Sequence, residues 1–326
     1  MARGACNLFF GDFVVKSLLF VATALIATTG GHQAYAEYNF VSVADPSATF
    51  GTAAIGINNA GVIVGDYVDG SGQHGFTDVA NSFNNFDAPG ATATVASGIS
   101  ASNEVVGYYT DASGATHGFT SAGSVFSTFD APFAGAAGTT FGAGISQAGS
   151  ATAGYFFDAG GTSHGFLKSA GYTQIDAPSA SVTVVTGVNN ASTSVGYYVD
   201  AAGTTHSFVR SAAGAYSSID DPSGALGTFV TGINDLGEIT GYYIDASNVT
   251  HGFVLSGTDF VTIDAPDALS TEINGINDFG EIVGQDIDAL TGQLDGFAAT
   301  VPEPATLSVL GFGALMLLKA RRRRTL

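Results

Sequence analysis

Between Val230 and Ile263 the apolar residues fall into four short runs, Val230–Ile233, Glu238–Ile244, Thr250–Leu255 and Asp259–Ile263. The segments between them are polar and carry turn chemistry. Asn234-Asp235-Leu236-Gly237 and Asp245-Ala246-Ser247-Asn248 put Asn, Asp and Gly where a hairpin needs side-chain caps and positive φ. Asp264-Ala265-Pro266 then stops the fourth run, because proline cannot donate to a strand ladder. The pattern predicts four consecutive short strands joined by tight turns.

The same pattern recurs along the chain. A His-Gly-Phe triplet stands at His74, His117, His164 and His251, with His206-Ser207-Phe208 and Asp295-Gly296-Phe297 as variants, at steps of 43, 47, 42, 45 and 44 residues. An Asp-Ala-Pro element or a near variant stands at Asp45, Asp87, Asp130, Asp176, Asp220 or Asp221, and Asp264. A Gly-Ile-Asn type element stands at Ile57, Ile99, Ile145, Val188, Ile233 and Ile276. Each anchor counts six. Four strands per unit at this period predict an all-β fold, a six-bladed β-propeller, with an open β-solenoid as the alternative. The ends add a test. Tyr38–Asp45 reads as a fourth strand, while the last unit stops after its third strand at Phe297, so the N-terminal strand is expected to complete the final blade and remove the exposed edges. Over residues 38–300 the repeats resemble the HAF-type repeats of extracellular bacterial proteins, with Gly where that family has Ala; the resemblance implies no particular activity.

Two terminal segments are set apart from this domain, which spans residues 37–300. Residues 1–36 have basic Arg3 and Lys16, an apolar run Ser17–Ala27 and the small-residue site Ala34-Tyr35-Ala36, the order a signal peptidase reads. Cleavage after Ala36 is expected; an uncleaved membrane anchor is the alternative. Residues 301–326 hold Pro302-Glu303-Pro304, an apolar run Ala305–Leu318, then Lys319 and Arg321, Arg322, Arg323 and Arg324. This tail resembles the PEP-CTERM sorting signal of Gram-negative bacteria. The resemblance implies recognition at Pro302, Glu303 and Pro304 by an exosortase, with the arginines holding the tail on the cytoplasmic side during transient membrane insertion. A retained tail anchor is the alternative. Together the ends predict export to the cell surface, outer envelope or extracellular space.

Charge narrows the partners. Removing both ends leaves 26 acidic residues against Lys168 and Arg210, a formal charge of −24, and such a surface repels nucleic acid. The single Cys6 lies in the leader, so the mature domain has no disulfide and no thiolate metal site. Trp is absent, while 45 Gly, 24 Phe and 12 Tyr point to tight turns and strands packed through rings.

Candidate chemistry is sparse. Equivalent histidines in a ring of repeats stand whole units apart, too far for a shared ion, so each is expected to bond its neighbouring turn. The pairs Tyr108-Tyr109, Tyr197-Tyr198 and Tyr242-Tyr243, with Tyr155-Phe156, send one ring to each face of a strand, for packing or as a stacking platform for sugars. Where the repeat breaks, Asp66, Asp286 and Asp295 stand in place of Tyr, Tyr and His; if units one and six adjoin, these carboxylates form a candidate calcium site, the only cofactor expected. No Gly-x-Ser-x-Gly, His-Glu-x-x-His or P-loop pattern is present. The reading is a non-catalytic surface or matrix protein associated with exopolysaccharide or biofilm; a secreted carbohydrate-active or hydrolytic enzyme is the alternative.

Overall fold

The computed structural model describes residues 38–134 and 139–300, and every regular element among them is a β-strand. An N-terminal strand β1 (Asn39–Val43) precedes six antiparallel units. Unit 1 comprises β2 (Gly51–Ile57), β3 (Ile63–Val68), β4 (Gln73–Val79) and β5 (Ser82–Phe86). Unit 2 comprises β6 (Ala91–Ile99), β7 (Glu104–Asp111), β8 (Thr116–Ala122) and β9 (Val125–Phe129). Unit 3 comprises β10 (Thr140–Ile145), β11 (Thr152–Phe157), β12 (Ser163–Lys168) and β13 (Tyr172–Ile175). Unit 4 comprises β14 (Val182–Val188), β15 (Ser194–Val199), β16 (Thr205–Arg210) and β17 (Tyr216–Ile219). Unit 5 comprises β18 (Gly227–Ile233), β19 (Ile239–Ile244), β20 (Thr250–Ser256) and β21 (Asp259–Ile263). Unit 6 has three strands of its own, β22 (Ala268–Ile276), β23 (Ile282–Asp288) and β24 (Leu294–Thr300), and β1 pairs antiparallel with β24 as its fourth. The four strands expected over Val230–Ile263 correspond to β18–β21, and the turns between them use positive φ at Gly237 and Asn248.

Register settles the alignment of the repeats. In unit 1 Phe86 opposes Gly75, and in unit 6 Val43 opposes Gly296. Val43 therefore matches Phe86, Ala44 matches Asp87, and Asp45 matches Ala88, one place away from the assignment the Asp-Pro dipeptide suggests. In unit 4 Ile219 opposes Ser207, so Asp220 is the residue matching Asp87, and Asp221 matches Ala88 and Asp45. Hydrogen bonding agrees, since the amides of Asp45, Ala88 and Asp221 each donate to a threonine hydroxyl, of Thr52, Thr94 and Thr228.

The triplet phenylalanine explains the packing. Phe76, Phe119, Phe166, Phe208, Phe253 and Phe297 are all buried, and each lies across the ladder from a glycine of the second strand, such as Gly65 opposite Phe76. A Cβ at Gly65 would run into the carbonyl oxygen of Ala53 and crowd the Phe76 ring at 2.9 Å. A glycine here lets the ring lie flat on the strand. The core divides into six clusters, each joining two units; one contains Val43, Phe76 and Val283, from β1, unit 1 and unit 6. Burying each such phenylalanine is worth about 1.5–3 kcal/mol.

At the centre the first strands contact one another in the order β2, β6, β10, β14, β18, β22, and β22 contacts β2 in turn. Each first strand carries a bulge ending in a glycine: Gly56, Gly98, Gly144, Gly187, Gly232 and Gly275. A Cβ on any one of them would lie 3.0–3.4 Å from the Cα of the next, and one on Gly275 would lie 3.3 Å from Gly56. Only a residue without a side chain permits this approach.

Candidate functional site

Polar groups seal the centre on one side of the glycines. Asn58, Asn189, Asn234 and Asn277, the last residues of the Gly-Ile-Asn elements, are buried, and each donates its side-chain amide to a backbone carbonyl of the following unit: Ser100, Asn234, Asn277 and Asn58 at 2.9–3.2 Å. Beside them runs a second set of bonds, in which the backbone amides of Ala148, Asn190, Asp235 and Asp278 donate to the side chains of Asn190, Asp235, Asp278 and Asn59. Gln147 crosses from unit 3 to unit 1, accepting from the Asn59 amide at 3.3 Å. The central cavity bordered by Gln147, Asn189, Asp235 and the bulge glycines has a volume of about 60 Å³, room for a few waters.

The other side of the glycines is a different surface. There one rung pairs the first and second strands of each unit: Ala53 with Asp66, Val95 with Tyr108, Phe141 with Tyr155, Val184 with Tyr197, Phe229 with Tyr242 and Glu272 with Gln285. Phe141 and Tyr155 stack at 4.6 Å, and Phe229 and Tyr242 at 4.9 Å. Tyr108 of unit 2 meets Phe141 of unit 3 edge-on at 5.1 Å, and Tyr197 of unit 4 meets Phe229 of unit 5 at 5.3 Å. The rings thus run across unit boundaries as a wall of aromatic faces, with three polar side chains where units 6 and 1 contribute.

Electrostatics tie this rung together. Burial pushes the Tyr108 hydroxyl up to about 12, with Asp66 adding to it. Tyr155 is raised by burial and by Tyr108 and Tyr197, and Tyr242 by burial, Glu272 and Tyr197. All remain neutral donors at physiological pH. Burial lifts the Asp66 carboxyl to about 6, partly offset by the Gln73 amide that donates to it at 2.7 Å. Glu272 is likewise raised by burial and partly held down by Gln285, which donates at 2.8 Å. The arrangement can stack flat apolar faces, donate phenolic hydrogen bonds and accept through two acids. Sequence singled out the four tyrosines and Asp66; Glu272 and Gln285 were missed as site residues, although Gln285 stood in the tyrosine slot.

Each repeated histidine faces its neighbouring turn, as expected. Nδ1 of His74, His117, His164, His206 and His251 faces Asp87, Asp130, Asp176, Asp220 and Asp264 at 2.6–3.1 Å. Nε2 faces the turn aspartates Asp69, Asp111, Asp158, Asp200 and Asp245 at 3.3–3.7 Å. Each ring thus has a carboxylate facing both of its nitrogens. Asp286 and Asp295 are direct cross-strand partners on β23 and β24, and burial, Asp295 and Asp288 lift Asp286 to about 6. Asp66 belongs instead to the aromatic rung, bonded to Gln73. Among the described residues no three His, Cys, Asp or Glu side chains are grouped to hold a metal ion. Ala34, Ala36, Pro302, Glu303, Pro304 and Arg321–Arg324 lie outside the described residues.

No family model matches the chain, and no curated protein matches it in sequence. Solved structures do. SapL1 lectin in complex with alpha methyl fucoside is 13% identical, with 79% of this chain and 97% of that chain covered at a TM-score of 0.52. An arginine-to-alanine mutant of AofleA from Arthrobotrys oligospora is 12% identical, over 80% and 86% of the two chains at 0.50. TolB from Acinetobacter baumannii is 6% identical, over 73% and 63% at 0.53. At these identities the likeness concerns the fold alone, which is all-β and propeller-like.

Proposed function

We propose that this protein is an exported, non-catalytic β-propeller of six closed blades that binds extracellular polysaccharide at the cell surface or in a matrix. The closed ring is supported by the glycine contacts that return from Gly275 to Gly56 and by the pairing of β1 with β24. The binding role rests on one observation, the aromatic rung of Tyr108, Phe141, Tyr155, Tyr197, Phe229 and Tyr242 bordered by Asp66, Glu272 and Gln285. Sugar rings offer apolar faces with hydroxyl edges, and such a wall meets both. SapL1, of similar fold, was solved in complex with alpha methyl fucoside. Signal peptidase and an exosortase are the processing partners that the two ends call for.

The binding test is a glycan array followed by titration of the strain's own exopolysaccharide. Tyr155→Ala and Tyr242→Ala each lower affinity about tenfold, the equivalent of ~1.4 kcal/mol, while Tyr198→Ala, on the opposite strand face, does not. Equal binding by all three variants refutes the site. Export is tested separately: the mature chain begins at Glu37, and mass spectrometry finds it without the poly-Arg terminus. A second reading has its own support, because a carboxyl held near pH 6, as Asp66 is, suits a general acid. New reducing ends released from polysaccharide by the native chain, and not by Asp66→Asn, would establish that enzyme.

A further inference from the structure

The aromatic wall carries charge at one place. Of its twelve side chains, two per unit, Glu272 and Asp66 are acids and none is a base. The two acids belong to units 6 and 1, whose strands adjoin there: β22 and β23 both contact β2, the strand that pairs Ala53 with Asp66. Rings stand on either side. The strand β19, with Tyr242, contacts β22, with Glu272, and β3, with Asp66, contacts β6, whose Val95 pairs with Tyr108. Where the same strand relation joins two rings, Tyr108 with Phe141 and Tyr197 with Phe229, their centres lie 5.1 and 5.3 Å apart. Each acid has one oxygen held by an amide, that of Gln73 at 2.7 Å on Asp66 and that of Gln285 at 2.8 Å on Glu272.

The bases of the domain are elsewhere. Lys168 and Arg210, the only Lys or Arg among the described residues, pair with Thr152 and Ser194, three residues before Tyr155 and Tyr197, which is about 10 Å along the strand. There Lys168 lies 5.1 Å from the ring centre of Phe129, and Arg210 lies 5.9 Å from that of Tyr216. The histidines are one register place from the wall and on the opposite strand face, as His117 opposes Tyr109 while Gly118 opposes Tyr108. An anionic sugar therefore meets two carboxylates at the wall and no counter-charge. A cationic one meets carboxylates and ring faces, and both attract it.

With the wall as the saccharide site proposed above, we propose that its ligand is a polysaccharide bearing free amino groups, whose ammonium is taken by Glu272 and Asp66 while the sugar face stacks on a neighbouring ring. The bond from an ammonium to a carboxylate is charge-assisted, roughly twice as strong as a neutral one. Acetylating the amine removes that charge and keeps the stacking face. A uronate keeps the stacking face as well, but sets a like charge against the two acids, which costs affinity. The polar stretch of the wall is thus the part that chooses among sugars, and the rings are the part that holds any of them.

The experiment is isothermal titration of the mature chain at pH 7 in 150 mM salt with three β-1,4-linked oligosaccharides of one length, built from glucosamine, N-acetylglucosamine or glucuronic acid. The amine form is expected to bind about tenfold more tightly than the acetylated form, and the uronate not measurably. Glu272→Gln cuts that preference to about threefold or less, with affinity for the acetylated form unchanged, and Asp66→Asn gives the same reading from unit 1. Tyr155→Ala weakens the amine and acetylated forms alike. Asp259→Asn, which removes an exposed charge at the start of β21 outside the wall, keeps the preference. Equal binding of the amine and acetylated forms, both weakened by Tyr155→Ala, overturns the charge preference and leaves the wall as a sugar site. A preference that survives whole in Glu272→Gln and Asp66→Asn overturns it too, as does tighter binding of the uronate. Loss of the preference in Asp259→Asn to the same extent would mean diffuse attraction of a polycation to an acidic surface, and overturns it equally. Binding of none of the three removes the wall itself as a saccharide site, and the preference with it.

Discussion

In units 1 to 5 the third strand carries a histidine between two aspartates, and in unit 6 the same places hold Asp295, Asp288 and Ala44. The five clamps join segments of one continuous unit. Unit 6 must recruit its fourth strand from the N-terminus, and there the acid that a histidine would pair with is absent. Five backbone register pairs, the edge contact of Phe40 with Phe297 at 5.1 Å, and Val43 in the cluster with Phe76 hold β1 instead. Apolar burial and strand pairing therefore suffice to close a unit. The clamps, whose carboxylates are 42–49% exposed on the Nδ1 side, add a small screened increment.

The largest test of that contrast removes residues 38–45. β24 then loses its partner and two seam side chains, each worth about 1.5–3 kcal/mol, and calorimetry should show a broad, non-cooperative transition far below that of the intact chain. A truncated chain that melts like the intact one would show that β1 closes nothing. The next compares Phe297→Ala with Phe208→Ala in urea. Each removes a buried ring and should cost about 3–5 kcal/mol; a much smaller cost at Phe297 would mean that the closing unit is loosely packed.

The clamps themselves respond to pH. The paired aspartates outweigh burial and raise His74 and His164 above the ordinary imidazole value. Their contribution is thus full below about pH 6.5 and is lost as pH rises through the higher folded value. Chemical denaturation of His164→Gln should show a loss of about 0.5–1 kcal/mol at pH 6, fading by pH 8.5. Asp286 runs in the same direction for a different reason: burial and its acidic neighbours raise it to about 6, so stability falls as pH climbs from about 4 to about 6. Asp69 opposes this at the acid end, because hydrogen bonds from Ser71 hold it down at about 2, and its contribution disappears only as pH falls toward that value. The smallest effect is a gain. Ala44→Asp with Asp295→His should install a sixth clamp worth up to about 1 kcal/mol at pH 6 and little at pH 8.5. No gain at either pH would show that strand order, and not the missing acid, sets unit 6 apart.

Much of this was legible in the sequence, because it is local. The four-strand unit, its turns and the number of repeats follow from patterns that recur every 42–47 residues, and the borrowed strand from a fourth strand left over at one end and missing at the other. That each histidine faces its neighbouring turn was legible from its place beside Gly-Phe in the repeat. The shift from Asp45 to Ala44 was not legible, since an Asp-Pro dipeptide names a strand stop and only pairing with Gly296 fixes which residue occupies it. The grouping of Asp66, Asp286 and Asp295 failed on the same point. Neighbouring slots of a strand face opposite sides, so Asp66 joins the aromatic rung while Asp286 and Asp295 pair elsewhere.

The amino-acid order by itself thus determined what repeats and how each repeat turns, since hairpin chemistry and the period of two act within a few residues. Only the tertiary structure decided what the repeats make together. The glycine contacts, the asparagine belt and the aromatic rung each join residues from different units, Asn277 to Asn58 across 219 positions among them. Such contacts exist only once the units are set side by side, because a side chain's partner there is chosen by the packing of whole strands and not by its neighbours along the chain.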